Sequence, residues 1–535
     1  MSKIERTLHR EQYAMLNSIV KGILQSTTAD AGIAIAPPAF GKTSVITAAI
    51  DYVANCFYSQ SKTMARRTTN GVCLMLTPRL MLNEQQTIEI QSLNINSDKF
   101  PNHPKKVITF DSDNSLDVNN VIRFIEQCHA SNFYPIVVST YDSADKLASI
   151  PFDAIFCDEG HNVCSPQNFM AVMDVLSAEA KRVFITATPR IDYLGQGPIG
   201  VNQRGMRNVQ RFGKVVYSLS FKQAVKLGFI VPPRKVFMHT FGKGMKKDSH
   251  VLDIIVRTMN EMKLAMEDTP IPNKVIYVFE SVAEIQILEA NWELIKKLTG
   301  ANIYTAYSAD NSFKINGEKL SGSGNKIKKE FIHKLKTDKE DCILAHIDTM
   351  GEGVDVPGIT GAIIFPIGDV IRIIQNLGRA MRLLPEDRNK TPKDRIKKFA
   401  NIGIVSYNDE NSGSNFMNAL IEAIMRMESD EFISEFLQCD LTNNPAGMEP
   451  VDVVGTPKNS HTDNQSDLLA FTANIEDANF ELFASSFDVG SNWDNLFEMK
   501  TQRETQFQLE RDERLRQERE LQIRTDKLAR LRAKR

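Results

Sequence analysis

The sequence lacks long apolar runs, paired cysteines and internal repeats, and each absence excludes a class of protein. No run of about 18 apolar residues occurs, so no membrane-spanning helix is expected. Seven cysteines are scattered without any CxxC pair, which argues against a disulfide framework or a cysteine-rich zinc site. The first residues, MSKIERTLHREQ, contain no apolar signal core. A cytoplasmic location with reduced thiols is therefore expected.

The sequence also lacks a basic excess. Lys and Arg number 64 against 66 Asp and Glu, which leaves a formal net charge of -2. Any nucleic-acid surface must therefore be a local basic path on a near-neutral protein. The lysine-rich stretch 314–339 is a candidate, although a solvated helix face is the plainer interpretation. The length of 535 residues allows two to four domains, each with its own core.

What the sequence does contain is two series of short apolar runs that alternate with helical patterns. The first series covers residues 32–36, 72–76, 135–139, 154–157 and 183–187, and the second covers 275–279, 302–306, 342–346, 362–365 and 402–405. Such runs are typical of buried parallel strands joined by crossover helices. Residues 212–233 end in a Pro-Pro pair and look like the link. We predict an α/β protein with two tandem doubly wound parallel-sheet domains, residues 1–232 and 233–440.

The C-terminal part differs in composition. Residues 441–500 are predicted to be a partly disordered acidic linker. Residues 501–535 are almost wholly charged, without Gly or Pro, and are predicted to form an exposed charged helix. This tail is either a frayed, solvated helix or a tether to nucleic acid or to a protein partner.

The segment APPAFGKTS follows an apolar strand and opens a helical pattern, which is the setting of a phosphate-binding loop. It consists of Ala36, Pro37, Pro38, Ala39, Phe40, Gly41, Lys42, Thr43 and Ser44. Lys42 would reach the β- and γ-phosphates of ATP, and the Thr43 hydroxyl would hold Mg²⁺. Alanine occupies position 36, where the general pattern has glycine, and also position 39, and alanine is penalised at positive φ. A chance GKT on a strand–helix turn is the alternative.

The second chemical signal is FDAIFCDEGH, a strand that ends in two carboxylates. A doubly wound sheet binds its ligands at this end of its strands. Asp158 would hold Mg²⁺, and Glu159 would orient and deprotonate the attacking water. His161 would sense the γ-phosphate region. An ordinary Asp-Glu helix cap is the alternative, and the upstream phosphate loop weakens it.

DEGH resembles motif II of the DExH (DEAH-box) branch of superfamily 2 helicases, and the remaining motifs follow in that family's order over residues 8–408. The resemblance implies two RecA-like domains that hydrolyse ATP with Mg²⁺. Gln12 in HREQ would read the adenine edge, as in the family's Gln motif. Thr186 and Thr188 in TATPR match motif III, where they would couple hydrolysis to domain closure.

The second half of the chain continues the resemblance. DTMGEGVDVPGI matches motif V and implies that Gly353 and Asp355 approach the ATP ribose and phosphates. QNLGRAMR matches motif VI and implies that Gln375 binds nucleotide while Arg379 and Arg382 face the γ-phosphate as arginine fingers.

The family's nucleic-acid contacts fall on four positions of this chain. They are Pro78 and Arg79 in motif Ia, Thr140 before motif II, and Thr349 in motif V. The link segment and motif V resemble the restriction and repair branch, which favours DNA over RNA. A duplex translocase without strand separation, an RNA helicase, and a nucleotide-gated protein-remodelling factor stay open as alternatives.

Overall fold

A computed structural model gives the fold. It describes residues 4–58, 70–78, 80–95, 103–110, 117–176, 179–190, 204–206, 208–241, 248–267, 269–279, 281–307, 312–322, 324–347, 358–365, 370–388, 390–407 and 423. The predicted acidic linker and charged helix lie outside these residues, and so does most of motif V.

Within these ranges, seventeen strands form three sheets. The strands are β1 (Ile4–Arg6), β2 (Ala31–Ile35), β3 (Cys73–Thr77), β4 (Leu93–Ile95), β5 (Lys105–Phe110), β6 (Tyr134–Thr140), β7 (Ala154–Asp158), β8 (Lys181–Thr186), β9 (Lys214–Ser218), β10 (Pro233–Phe241), β11 (Lys274–Val278), β12 (Asn302–Tyr307), β13 (Ser312–Ile315), β14 (Glu318–Lys319), β15 (Cys342–Ile347), β16 (Gly361–Ile364) and β17 (Ala400–Tyr407). Every apolar run that the sequence analysis singled out forms one of these strands.

The helices lie between the strands, as crossover connections require. They are α1 (Arg10–Ile19), α2 (Lys42–Tyr58), α3 (Leu80–Ser92), α4 (Val118–Ala130), α5 (Pro166–Phe169), α6 (Val209–Phe212), α7 (Phe221–Lys226), α8 (Asp248–Leu264), α9 (Val282–Ala290), α10 (Trp292–Thr299), α11 (Gly324–Thr337) and α12 (Val370–Ala380).

The first large sheet is wholly parallel, with strand order β5-β6-β3-β7-β8-β2-β9. Its central strands are apolar and buried on both faces, because helices cover each side. The segment 212–233, predicted to be the link, supplies β9 and α7 to this domain before the chain enters the second sheet at Pro233. This strand was missed because it is a short edge strand that is only half-buried.

The second large sheet has the order β10-β17-β16-β11-β15-β12-β13-β14. Six of its strands are parallel, but β13 and β14 form an antiparallel hairpin at one edge. Asn316 and Gly317 make its turn with φ of 48° and 77°, the positive values that a two-residue hairpin turn requires. The doubly wound fold class is confirmed, with this hairpin as an addition.

The apolar core continues from one domain to the other. One buried cluster includes Ala34 beneath the phosphate loop, Phe221 and Ile230 in the segment between the sheets, and Leu377 in α12. Two further clusters cover the opposite face of each sheet. In the part of the chain that the structure describes, no helix combines the length and the apolar character needed to cross a membrane.

Candidate active site

The loop after β2 is a curled turn that leads directly into α2. Ala36 N donates to Thr186 O of β8 at 3.1 Å, which fixes the start of the loop beside the neighbouring strand. Ala39 has φ of 67° and Gly41 has φ of 85°, so the backbone turns left-handed twice before the helix begins at Lys42. Backbone N–H groups of such a turn, together with the N-terminus of a 17-residue helix, favour an anion.

Lys42 meets the carboxylate end of β7. Its Nζ lies 3.0 Å from Glu159 Oε1, and both side chains are largely shielded from solvent. Glu159 itself has φ of 47° and ψ of 52°, a left-handed conformation that costs a non-glycine residue about 1–3 kcal/mol. Strain of this kind at the end of a strand is characteristic of functional positions.

Asp158 and Thr43 converge on Gln86 of α3. Gln86 Nε2 donates to Thr43 Oγ1 and to Asp158 Oδ2, each at 3.1 Å. Burial, reinforced by the neighbouring Glu159 charge, raises the pKa of Asp158 to about 6, while Lys42 opposes that rise. Gln86 lies downstream of Pro78 and Arg79 of motif Ia, and no sequence pattern predicts its role. That role arises only because α3 packs against the phosphate loop and β7.

These oxygens fit a magnesium ion. A hydroxyl and a carboxylate are the hard ligands that Mg²⁺ prefers. The same cluster contains the side-chain oxygen of Gln86, Oε1, which is buried and has no hydrogen-bond partner among the described residues. The residues at hand therefore suit the metal that the sequence analysis assigned to Thr43 and Asp158.

His161 connects the carboxylates to the end of β8. Its Nδ1 lies 2.9 Å from Thr186 Oγ1, 3.3 Å from Thr188 Oγ1 and 3.6 Å from Glu159 Oε2. Thr188 N also donates to Thr186 Oγ1 at 3.0 Å. Motifs II and III are thus joined through His161, which lies between Glu159 and both threonines.

Gln12 ties the N-terminal Gln motif to the phosphate loop. Its Nε2 donates to Phe40 O at 2.7 Å, while its Oε1 accepts from His9 N at 3.2 Å. The ring of His9 stacks on Phe229, with centroids 4.6 Å apart, and Phe40 stands edge-on to Phe229 at 5.4 Å. In this structure the Gln12 amide holds the phosphate loop, and its contact with adenine stays a prediction.

Motif VI lies against that loop. α12 carries Gln375, Gly378 and Arg379, and a Cβ added at Gly378 would lie only 2.7 Å from Pro38 Cγ. Arg379 is buried at 5% exposure, and Arg382 pairs with Ile230 in an isolated antiparallel bridge. The second domain therefore touches the nucleotide loop of the first through its arginine-bearing helix.

The strand before motif V contacts the same helix. His346, near the end of β15, lies 3.2 Å from Asn376 Oδ1 through its Nε2. Burial and the nearby Arg379 charge lower the pKa of His346 to about 3, so its ring stays neutral. Motif V residues Thr349, Gly353 and Asp355 follow, but they lie outside the described residues.

The predicted nucleic-acid residues are only partly described. Pro78 directly follows β3, and Thr140 is the last residue of β6. Because these strands are paired in parallel, both residues lie at the carboxyl ends of the strands of the first sheet. Thr140 is 5% exposed, and Pro78 is half-buried. Arg79 lies outside the described residues.

The fold consists of two RecA-like domains, and the first carries a phosphate-binding loop beside two carboxylates. Residues 5–191 match the family model described as "Type III restriction enzyme, res subunit". The matched residues include the phosphate loop and the DEGH segment and make up less than half of the chain. No curated protein sequence matches the chain.

One solved structure supports the fold. One similar structure is "ATP-dependent Type ISP restriction-modification enzyme LlaBIII bound to DNA", with a TM-score of 0.59 and 15% identity over 82% of this chain and 30% of that enzyme. The chain thus spans about a third of that enzyme's length. Lower scores relate it to the Mycobacterium smegmatis helicase Lhr bound to ssDNA and AMP-PNP (TM-score 0.46, 14% identity, 80% of this chain and 49% of that one). They also relate it to S. cerevisiae Dbp5 bound to RNA and ADP BeF3 (TM-score 0.46, 14% identity, 78% of this chain and 87% of that one).

Proposed function

We propose that this protein is an ATPase of the superfamily 2 helicase type. It would act as a motor that moves along nucleic acid, with DNA as the favoured polymer, and hydrolyse ATP between its two RecA-like domains. The observation that carries the proposal is the contact of Gly378 in motif VI with Pro38 in the phosphate loop. Because the loop and the arginines come from different domains, hydrolysis depends on their apposition.

The chemistry follows from the side chains around the loop. Lys42 pairs with Glu159, and the phosphates of ATP would compete for its ammonium group. Glu159 is then released to accept the proton of the attacking water. Arg379 and Arg382 supply positive charge that stabilises the negative charge on the transferred phosphoryl group in the transition state. An arginine of this kind raises the rate roughly 10³–10⁵-fold in related enzymes.

Thr43 and Asp158 would hold the magnesium ion that accompanies ATP. Bound there, it would neutralise charge on the β- and γ-phosphates. Gln86 keeps its two ligands together, since one amide nitrogen donates to both. Gln12 supports the loop from the opposite side through Phe40 O.

Two observations favour nucleic acid, and DNA in particular. The first domain matches a restriction-enzyme family model, and a similar solved structure is a restriction enzyme bound to DNA. In the second domain, α11 buries Ile327 and Phe331 and exposes Lys326, Lys329 and Lys336 on its other face. Such lysines add affinity for phosphates without reading sequence.

The test is the ATPase rate without polymer and with single-stranded DNA, duplex DNA or RNA of equal length, with Lys42→Ala as the background control. Strong stimulation by DNA supports the proposal, and stimulation by duplex alone identifies a translocase that does not separate strands. Stimulation by RNA alone identifies an RNA helicase. No stimulation by any polymer, together with binding that does not change between low and moderate salt, would favour the protein-remodelling alternative.

A further inference from the structure

A short segment between α12 and β17 folds into a compact turn around a buried carboxylate. Asp387 is fully buried and accepts hydrogen bonds from Ile396 N and Lys397 N, both at 2.9 Å, and from Lys390 Nζ at 3.2 Å. Burial alone would raise the pKa of Asp387, but these donors hold it below its ordinary value. The turn therefore fixes the backbone of Lys397.

The side chain of Lys397 extends into the protein, where it is 1% exposed. Its ammonium group donates to Ile359 O at 2.7 Å, to Arg382 O at 2.8 Å and to Ala380 O. An ammonium group has three N–H donors, so its capacity matches these carbonyls. Ile359 is the last residue of motif V, and the other two carbonyls lie at the end of motif VI. One side chain thus joins the exits of both motifs.

The same segment also holds the connection between the domains. Arg395 Nη2 donates to Gly228 O at 2.6 Å, and Ala400 N donates to Pro232 O at 2.9 Å. The end of the link, residues 228–232, is therefore held by hydrogen bonds to the chain that follows motif VI.

A charge at this depth is expensive, because desolvation opposes it. Burial lowers the pKa of Lys397 to about 7, Arg382 adds to that lowering, and Asp387 opposes it. A well-packed apolar residue would avoid this cost. The three carbonyl contacts give the charged side chain something that an apolar residue lacks, which is a defined position for the backbone around Arg382.

We propose that Lys397 is a positioning residue of the ATPase reaction, which fastens the ends of motifs V and VI to each other and so sets Arg379 and Arg382 against the phosphate loop. This inference rests on the proposed site between the domains. Lys397 acts through the arginines and does not itself reach the nucleotide.

The test compares Lys397→Met with a matched buried lysine. Lys181 is 3% exposed and donates to Ser26 O at 2.8 Å and Ala29 O at 2.6 Å, but it lies at the start of β8, at the opposite end of that strand from Thr186. Lys397→Met should lower kcat by about 100-fold, the cost of misplacing reacting groups by about 1 Å, and should change KM less than about 3-fold. Lys181→Met should lower the melting temperature and leave kcat within about 3-fold of wild type.

Non-additivity supplies a readout that a merely structural role would not move. In an Arg379→Ala, Arg382→Ala background, Lys397→Met should lower kcat by less than about 3-fold, because the groups it positions are already gone. If the methionine variant does not fold, Lys397→Gln, which keeps two N–H donors, is judged by the same ratios.

An undiminished effect in the arginine-free background would overturn the inference, and so would a kcat loss no larger than that of Lys181→Met. A wild-type enzyme that hydrolyses ATP without response to any polymer would instead count against the proposed motor function. Because the variant ratios come from the basal rate, the two failures are distinguishable.

Discussion

Adding one methyl group at Gly378 should separate the two halves of the active site. A Cβ there would lie 2.7 Å from Pro38 Cγ and 3.5 Å from Phe221 Cε1. Non-bonded carbon atoms normally approach to about 3.5–4.0 Å. Since the proline ring cannot rotate out of the way, α12 must retreat from the phosphate loop by roughly 1 Å.

The sign of the stability change distinguishes this contact from a local helix effect. Replacing glycine by alanine inside a helix normally stabilises the protein by about 1 kcal/mol. Overpacking costs about 1–3 kcal/mol, so Gly378→Ala should show no such gain. Because α12 carries Arg379, a retreat of about 1 Å should lower kcat by roughly 100-fold. Nucleotide binding to the first domain should change little.

The assay is a double-mutant cycle on steady-state ATP hydrolysis. Pro38→Ala removes the Cγ that the new methyl group would strike. The Gly378→Ala penalty should therefore shrink to less than about 3-fold when it is measured in the Pro38→Ala background. Wild-type turnover by Gly378→Ala, or an equal penalty in both backgrounds, would show that the contact does not govern the reaction.

Four further results are expected. Lys42→Ala should abolish turnover, since it removes the cation that compensates the phosphates; a wild-type rate would refute the loop assignment. Glu159→Gln should keep ATP binding, lose hydrolysis and hold nucleic acid more tightly in ATP; normal multiple turnover would remove Glu159 as the base. Arg379→Ala and Arg382→Ala should each cut kcat steeply while nucleotide affinity is largely spared, which titration of a fluorescent ATP analogue checks. Finally, kcat should fall as pH rises through about 7, because a neutral Lys397 amine keeps only two donors. As pH rises above about 7, the free energy of unfolding should increase, because the Lys397 amine holds its proton more tightly in the unfolded chain than in the folded protein. Lys397→Met should lack both trends.

The sequence was sufficient for the fold because the central strands are continuous apolar runs. Segments such as Ile33–Ala34 or Val137–Val138 are buried on both faces, and their pattern depends little on tertiary context. Edge strands were less visible. β9 and β5 carry polar residues on half-exposed faces, and propensity alone does not separate them from loops.

One missed element did carry a signal. The dipeptide Asn316-Gly317 between FKI and EKL is a strong short-range indication of a hairpin, and the structure has that hairpin at β13–β14.

The residues of the candidate site also fall into two groups, those that the sequence motifs contain and those that only the fold brings to the site. Residues within motifs, such as Lys42 and Glu159, could be named from local sequence because their neighbours in the chain define their geometry. Gln86 and Lys397 could not, since they reach the site from elements whose placement depends on the packed fold. The strain at Ala39 was foreseen as a penalty at positive φ, and the structure gives that residue φ of 67°.

The connection between the domains is attached at both of its ends. On one side β9 pairs with β2, and on the other Ile230 and Val231 pair with Arg382 and Met381. A segment fixed in this way does not act as a loose tether, because neither end can drift. The segment therefore ties the end of motif VI to the edge of the first sheet through backbone pairings at both of its ends.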